Sequence, residues 1–191
     1  MGKLVYGVGV CDKGKHIACI AGKKTKVYSV WSDMLRRCCS QKFKDKWPTY
    51  ADCCVSENFK SFQYFAEWCS YQVGFGVKGY ALDKDILFRG NKIYSEDTCV
   101  FIPHEVNSVL SMCNSSRGKY PTGVTYSALF GEYRARVAIQ GKGTHIGSYK
   151  TAEEAFTAYR VSKMANIKDV AERHRNSIDQ RVYRALLEYE V

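Results

Sequence analysis

Residues 132–155 read EYRARVAIQGKGTHIGSYKTAEEA, and this stretch decides the fold. Tyr133, Ala135, Val137 and Ile139 alternate with Arg134, Arg136 and Ala138. Period-two alternation predicts a strand over Glu132–Gln140, with the apolar set on one face and both arginines on the other. Gln140-Gly-Lys-Gly143 predicts a hairpin turn, and Thr144–Tyr149 a short returning strand. Thr151-Ala-Glu-Glu154 has the form of a capping box, in which the Thr hydroxyl binds an amide one turn on and Glu154 reaches back. A helix is expected to follow, with Ala155, Phe156, Tyr159, Met164 and Ile167 along one apolar face.

Outward from this stretch, Gly123–Phe130 (GVTYSALF) reads as a further strand, and a second helix is expected over Ser177–Glu188, carrying Ile178, Val182, Ala185 and Leu186. Three strands followed by helices predict an α+β class. Upstream, Asn114–Gly123 is rich in turn formers and has no apolar period, so 114–122 reads as a linker between a first domain, 1–113, and a second, 123–191. Composition supports the division. All nine cysteines precede the linker, residues 1–120 hold 18 basic and 11 acidic residues, and residues 121–191 hold 11 and 8.

The first domain is expected to be mixed. Val27–Cys39 is amphipathic, with Val27, Trp31, Leu35 and Cys38 on one side; Phe59–Tyr71 is a second such helix, with Phe62, Phe65, Ala66 and Cys69 inward. At this spacing Trp31, Phe62, Phe65 and Trp68 read as core rather than as base-stacking platforms. Tyr80–Phe88 reads as strand or turn, Gly90–Lys92 as a turn, Thr98–Ile102 as a strand and Pro103–Cys113 as a helix.

The chain has 191 residues, a net charge of +10, 46% hydrophobic and 25% charged residues, which excludes wholesale disorder. No run of about 18 apolar residues is present, so no membrane span is expected. The N-terminus lacks a long apolar region of the secretory kind, so nine reduced thiols in a reducing compartment are expected. Excess positive charge points first at nucleic acid.

Gly123-Val124, Tyr133-Arg-Ala-Arg-Val137, Ile146-Gly-Ser-Tyr149, Thr151-Ala-Glu-Glu-Ala155 and Ala158-Tyr159 occur in this order over about 40 residues. Together they resemble the plant ethylene-response-factor (Apetala-type) DNA-binding domain, which also occurs in phage and homing-endonuclease proteins. The resemblance implies a three-stranded antiparallel sheet packed on a helix, its exposed face laid in the major groove. A β-ribbon fits that groove, and an arginine there grips guanine through two hydrogen bonds. The candidate DNA contacts are Arg134 and Arg136, roughly 7 Å apart at strand rise, with Lys142 and His145 beside them on the hairpin. Thr125 and Ser127 stand where the plant family has arginines, which implies weaker contacts from the first strand and a different site preference.

A second set comprises Tyr28-Ser-Val-Trp31 with Cys38, Tyr50, Phe62, Phe65 and Trp68, then Leu82-Asp-Lys-Asp-Ile-Leu87, Gly90-Asn-Lys-Ile-Tyr-Ser95, Thr98-Cys-Val-Phe-Ile-Pro103 and Asn107. These are similar to phage-encoded HNH endonuclease-like proteins. The resemblance implies a divergent HNH (ββα-metal-like) fold, in which a β-hairpin and a helix hold one divalent cation, and a location in the cytoplasm of an infected bacterial host. It places the catalytic set at Asp83, Lys84, Asp85, Asn91 and Asn107, and the ligands for Mg²⁺ or Mn²⁺ at Asp83, Asp85, His104 and Asn107. No histidine lies in Asp83-Lys84-Asp85, and Lys84 takes the place of the expected base, for which an ammonium of pKa about 10.4 is poorly suited. On a strand the two carboxylates would alternate in direction. Three readings stay open: a metal-dependent nuclease, a nuclease-derived fold that binds DNA without cutting, and a purely structural turn. The second also suits a host-takeover or anti-defence factor that keeps the nuclease fold but binds DNA, a host protein complex, or both.

The cysteines contain no C-x-x-C. Cys11, His16 and Cys19 are close enough for a zinc knuckle, but buried free thiols are the ordinary alternative and zinc is not expected. Lysines cluster at Lys13-Gly-Lys15, Lys23-Lys24-Thr-Lys26 and Lys42-Phe-Lys-Asp-Lys46, where they suit either phosphate contact or a solvated surface.

Overall fold

The structure, a computed structural model, describes residues 4–110 and 119–191. It is α+β and divides into two compact units. One comprises the chain up to Ile102 together with Ser177–Val182; the other runs from Pro103 to Asn176 and takes in Tyr183–Val191. The linker expected at 114–122 falls mostly outside the described residues; the units themselves part at Ile102/Pro103.

The first unit opens with a minimal hairpin, β1 (Cys19–Ile20) and β2 (Lys23–Lys24), turning at Ala21 and Gly22, whose φ angles are both positive. Thr25 then caps α1 (Lys26–Cys39) by accepting from Tyr28 N at 3.3 Å. Ser40 closes α1 and caps α2 (Gln41–Lys46). After β3 (Cys54–Val55) the expected helix at 59–71 begins late. Asn58–Lys60 is a 3₁₀ turn, and Ser61 accepts from Tyr64 N at 3.1 Å to start α3 (Phe62–Ser70). A side-chain acceptor at Ser61 fixes the helix start more firmly than propensity does. β4 (Tyr80–Asp83), β5 (Ile93–Tyr94) and β6 (Val100–Pro103) follow. β3 pairs in parallel with β5, and β4 pairs with β6.

Helical spacing on α1 and α3 produces the core of this unit. Trp31, Leu35, Phe62, Phe65 and Cys69 are fully buried, with Phe59 and Met34 between them. The Trp31 indole donates to Phe59 O at 2.8 Å, so the one polar atom of the largest core side chain is satisfied. Trp68 is partly buried at the edge, its ring 4.9 Å from Phe59. Of the four aromatics expected as core, Trp31, Phe62 and Phe65 are buried and Trp68 packs against them at the edge.

In the second unit α4 (His104–Leu110) precedes β7 (Val124–Ser127), β8 (Glu132–Ile139) and β9 (Lys142–Tyr149). These form an antiparallel sheet in the order β7-β8-β9. α5 (Ala152–His174) lies against it, and the last helix, α6 (Gln180–Leu187), begins in the first unit and ends in the second. The capping box is complete: Thr151 Oγ1 accepts from Glu154 N, and Glu154 accepts from Thr151 N. Val124, Ala135, Val137, Ala155 and Tyr159 are buried between sheet and helix. Phe156 and Met164, expected inward, are half-buried, whereas Lys163 and Asn166 are buried. Asn166 donates to Ala138 O at 3.1 Å and ties the middle of α5 to the end of β8.

Gly123 mounts the sheet on the helix. Its φ is +80°, and a Cβ there would sit 2.1 Å from the Tyr159 ring. Its carbonyl accepts from Arg136 N at 2.8 Å. Only glycine combines that backbone conformation with that approach.

No helix among the described residues is long and apolar enough to cross a membrane.

Candidate nucleic-acid interface

Alternation along β8 sorts its side chains as expected. Ala135 and Val137 are buried, while Arg134 and Arg136 stand on the opposite face. What sequence alone did not show is how β9 meets them. Tyr133 pairs with Tyr149, Arg134 with Ser148 and Ala135 with Gly147; then the register slips, and Arg136 pairs with His145. Ile146 is the extra residue of a β-bulge, and it packs inward. A slip of one residue exchanges the faces of everything beyond it. His145 is thereby brought onto the arginine face, opposite Arg136.

The same slip moves Lys142 away. It pairs with Ile139, on the register of the inner face, across a two-residue turn at Gln140-Gly141 with φ of 49° and 77°. Positive φ at both positions is the tight hairpin turn whose twist matches the strands. Lys142 was expected beside the arginines; bulge and turn together place it at the hairpin end and off their face.

On β7, the first strand of the sheet, Thr125 pairs with Arg134 and Ser127 with Glu132. Thr125, Ser127, Arg134, Arg136, His145 and Ser148, with Tyr126, line one shallow depression of about 490 Å³. Five of these residues were singled out from the sequence. Ser148 and Tyr126 were missed, Ser148 because its place depends on the register of β9.

The two arginines are held differently. Arg134 Nε donates to Glu132 Oε1 at 2.9 Å, Ser148 Oγ donates to the same oxygen at 2.9 Å, and the guanidinium lies over the Phe130 ring at 4.9 Å. These hydrogen bonds, from Arg134 first and then Ser148, hold the Glu132 carboxyl below its ordinary pKa. Glu132 was not anticipated, although its position two residues before Arg134 puts it on the same strand face. Arg134 keeps its terminal nitrogens without a protein partner among the described residues. The Arg136 side chain, exposed, has no hydrogen-bond or ion-pair partner among them. The residues lining the depression include no carboxylate.

The Asp83–Asn91 segment is built in the opposite way. The strand ends at Asp83, so Asp83 and Asp85 do not alternate on a strand as expected. Asp83 Oδ1 accepts from Asp85 N at 3.0 Å and Ile86 N at 2.8 Å, which turns the chain. Lys84, only 7% exposed, donates to Asp85 Oδ2 at 3.1 Å and lies over the Tyr94 ring at 5.7 Å. Asn91 donates to Lys84 O and Ile93 O, both at 2.7 Å, and accepts from Ile93 N. Burial, and next the charge of Asp85, raise the Asp83 pKa above the usual carboxylate value.

Asp83, Lys84, Asp85 and Asn91 are thus brought together within one unit. His104 and Asn107, both exposed, lie on α4 in the other unit. Of the expected ligands for Mg²⁺ or Mn²⁺, Asp83 and Asp85 lie in one unit and His104 and Asn107 in the other, and the two carboxylates are each partly engaged within the turn. The Lys84 ammonium bonds one oxygen of Asp85, two backbone amides bond one oxygen of Asp83, and the Asn91 amide is engaged by backbone at both ends. Among the described residues no three His, Cys, Asp or Glu side chains group to hold a metal ion. His16 Nε2 meets Glu67 at 2.8 Å, and with Lys15 and Tyr71 it lowers the Glu67 pKa to about 2. Of the basic clusters, Lys15 pairs with Glu67 and Lys44 donates to Ala51 O at 2.8 Å.

No protein-family model, curated protein or solved structure matches this chain.

Proposed function

We propose that the protein binds double-stranded DNA through the outer face of β7-β8-β9, and that the Asp83-Lys84-Asp85 turn is a structural element rather than a cleavage site. One observation carries this reading: both arginines, His145 and four hydroxyl side chains line a single depression that contains no carboxylate. The nearest acid, Glu132, is engaged in orienting Arg134. A planar, oriented guanidinium beside an unpaired one matches the paired acceptors of guanine and the flanking phosphate oxygens. The resemblance of residues 123–160 to Apetala-type domains supports the same face. The net charge of +10 supports attraction to a polyanion.

Fluorescence anisotropy with a labelled mixed-sequence duplex tests the reading. The double variant Arg134→Ala/Arg136→Ala is expected to weaken binding about 100-fold, since groove contacts of this type are each worth about 1–3 kcal/mol. It should also flatten the salt dependence if either arginine reaches phosphate. Equal affinity of wild type and double variant refutes the assignment.

A further inference from the structure

We propose that Leu129 and Phe130, at the tip of the β7–β8 hairpin, form an apolar wedge that enters a base step of duplex DNA and unstacks it. This rests on the DNA reading above and adds to it a bend at the margin of the sheet's footprint.

Leu129 is 84% exposed and Phe130 64%, adjacent residues on a tip with no core to cover them. The tip is rigidly presented. Ser127 O accepts from Phe130 N at 3.2 Å and from Gly131 N at 2.8 Å, Gly131 has φ of +65°, and Ser127 pairs with Glu132 as the last rung of the ladder. Two large apolar side chains on a fixed turn lose little freedom on insertion.

The surroundings select the occupant. The Arg134 guanidinium lies over the Phe130 ring at 4.9 Å. On the other side Phe130 shares a shallow hollow with Lys150, whose ammonium has no partner among the described residues. The two carboxylates of that hollow are already engaged, Glu132 by Arg134 and Ser148, and Glu154 by the amides of Lys150 and Thr151. An apolar tip flanked by cations, with one acid paired to Arg134 and the other held by two backbone amides, is complementary to stacked bases flanked by phosphates. Apolar wedges of Phe and Leu, as minor-groove binders use them, unstack base steps and kink duplexes by about 20–90°.

The test uses the full chain and two probes. One is a short mixed-sequence duplex with a donor–acceptor dye pair at its ends; the other is the same duplex with a fluorescent adenine analogue that brightens on unstacking. Wild type is expected to shorten the end-to-end distance and brighten the analogue. Leu129→Ala/Phe130→Ala should bind with affinity lower by about tenfold or less and an unchanged salt slope, and should do neither; Phe130→Trp should do both. Bending by the double alanine variant equal to wild type, or wild-type binding without bending, overturns the wedge and leaves the sheet-face reading standing. If wild type fails to bind the duplex, or Arg136→Ala binds as tightly as wild type, the sheet-face reading fails first and the wedge with it. Capture of the wild type but not the double alanine variant on phosphatidylserine vesicles, with no bending, assigns the tip to an anionic membrane and overturns the wedge as well.

Discussion

The face of β7-β8-β9 and the turn at Asp83–Asn91 hold similar kinds of side chain, yet one leaves them open and the other closes them. On the sheet, Arg136 and the terminal nitrogens of Arg134 have no protein partner among the described residues, and the one nearby acid orients a cation. In the turn, Asp83, Lys84, Asp85 and Asn91 engage one another and the backbone. Polar groups retained for a ligand keep hydrogen-bonding capacity unfilled; polar groups retained for a fold do not. Residue identity alone does not separate the two cases, and both were candidate sites in the sequence.

The strongest way to break the open face is through its mount. Gly123→Ala would force a Cβ into the Tyr159 ring at a positive φ. It is expected to destabilise the second unit by about 2–4 kcal/mol, the sum of left-handed strain and overpacking. Urea unfolding followed by a probe in β8 measures it, and the turn around Asp83 should keep its native signals.

Next comes the face itself. Arg136→Ala is expected to lower duplex affinity by about 1–3 kcal/mol, and Lys142→Ala by only a few tenths, because the bulge leaves Lys142 off the arginine face. Equal losses from the two variants would mean that contacts extend around the hairpin end and that the slip does not define the site. Lys142 also marks how far the sequence could be read. Alternation from Tyr133 to Ile139, the capping box and the aromatic spacing of α1 and α3 were all legible, because each is a local pattern with one physical cause. The bulge at Ile146 was not, since an unpaired residue shows itself only against its partner strand. The two-residue strands β3 and β5 were equally hidden, being too short to carry any period. Lys84 stands in the sequence where a catalytic base is expected, yet it is buried with its ammonium over the Tyr94 ring; the contact joins residues ten apart across an irregular segment.

Within the turn the effects are smaller. Asp83→Ala removes the acceptor for two amides and is expected to cost about 1–2 kcal/mol, whereas Asp83→Asn keeps an oxygen there and should change stability by less than about 0.5 kcal/mol. Neither variant should alter plasmid nicking in Mg²⁺ or Mn²⁺, and neither ion should raise the melting temperature of the wild type. A metal-dependent rise that Asp83→Asn abolishes would show that the carboxylates open to a cation, and would turn the closed region into a second open one.

The smallest effect sharpens the comparison through pH. Glu132 is held below the usual carboxyl value by Arg134 and Ser148, so its contribution is present above about pH 4.3 and is lost as pH falls through its lowered folded-state pKa. Asp83 is raised by burial and by Asp85, so the folded state binds the extra proton. Its contribution is fully present below about pH 3.9 and declines as pH rises through the raised folded-state value. The two regions therefore have opposite pH slopes. Carboxyl ¹³C shifts of the two residues, titrated in the same sample, should move apart in this sense. Asp85→Asn should bring the Asp83 midpoint down, since it removes the second cause of the shift, and should leave Glu132 unmoved. A Glu132 midpoint at or above the ordinary value would mean that Arg134 is not held by it in solution, and the open face would lose the ion pair that orients its first arginine.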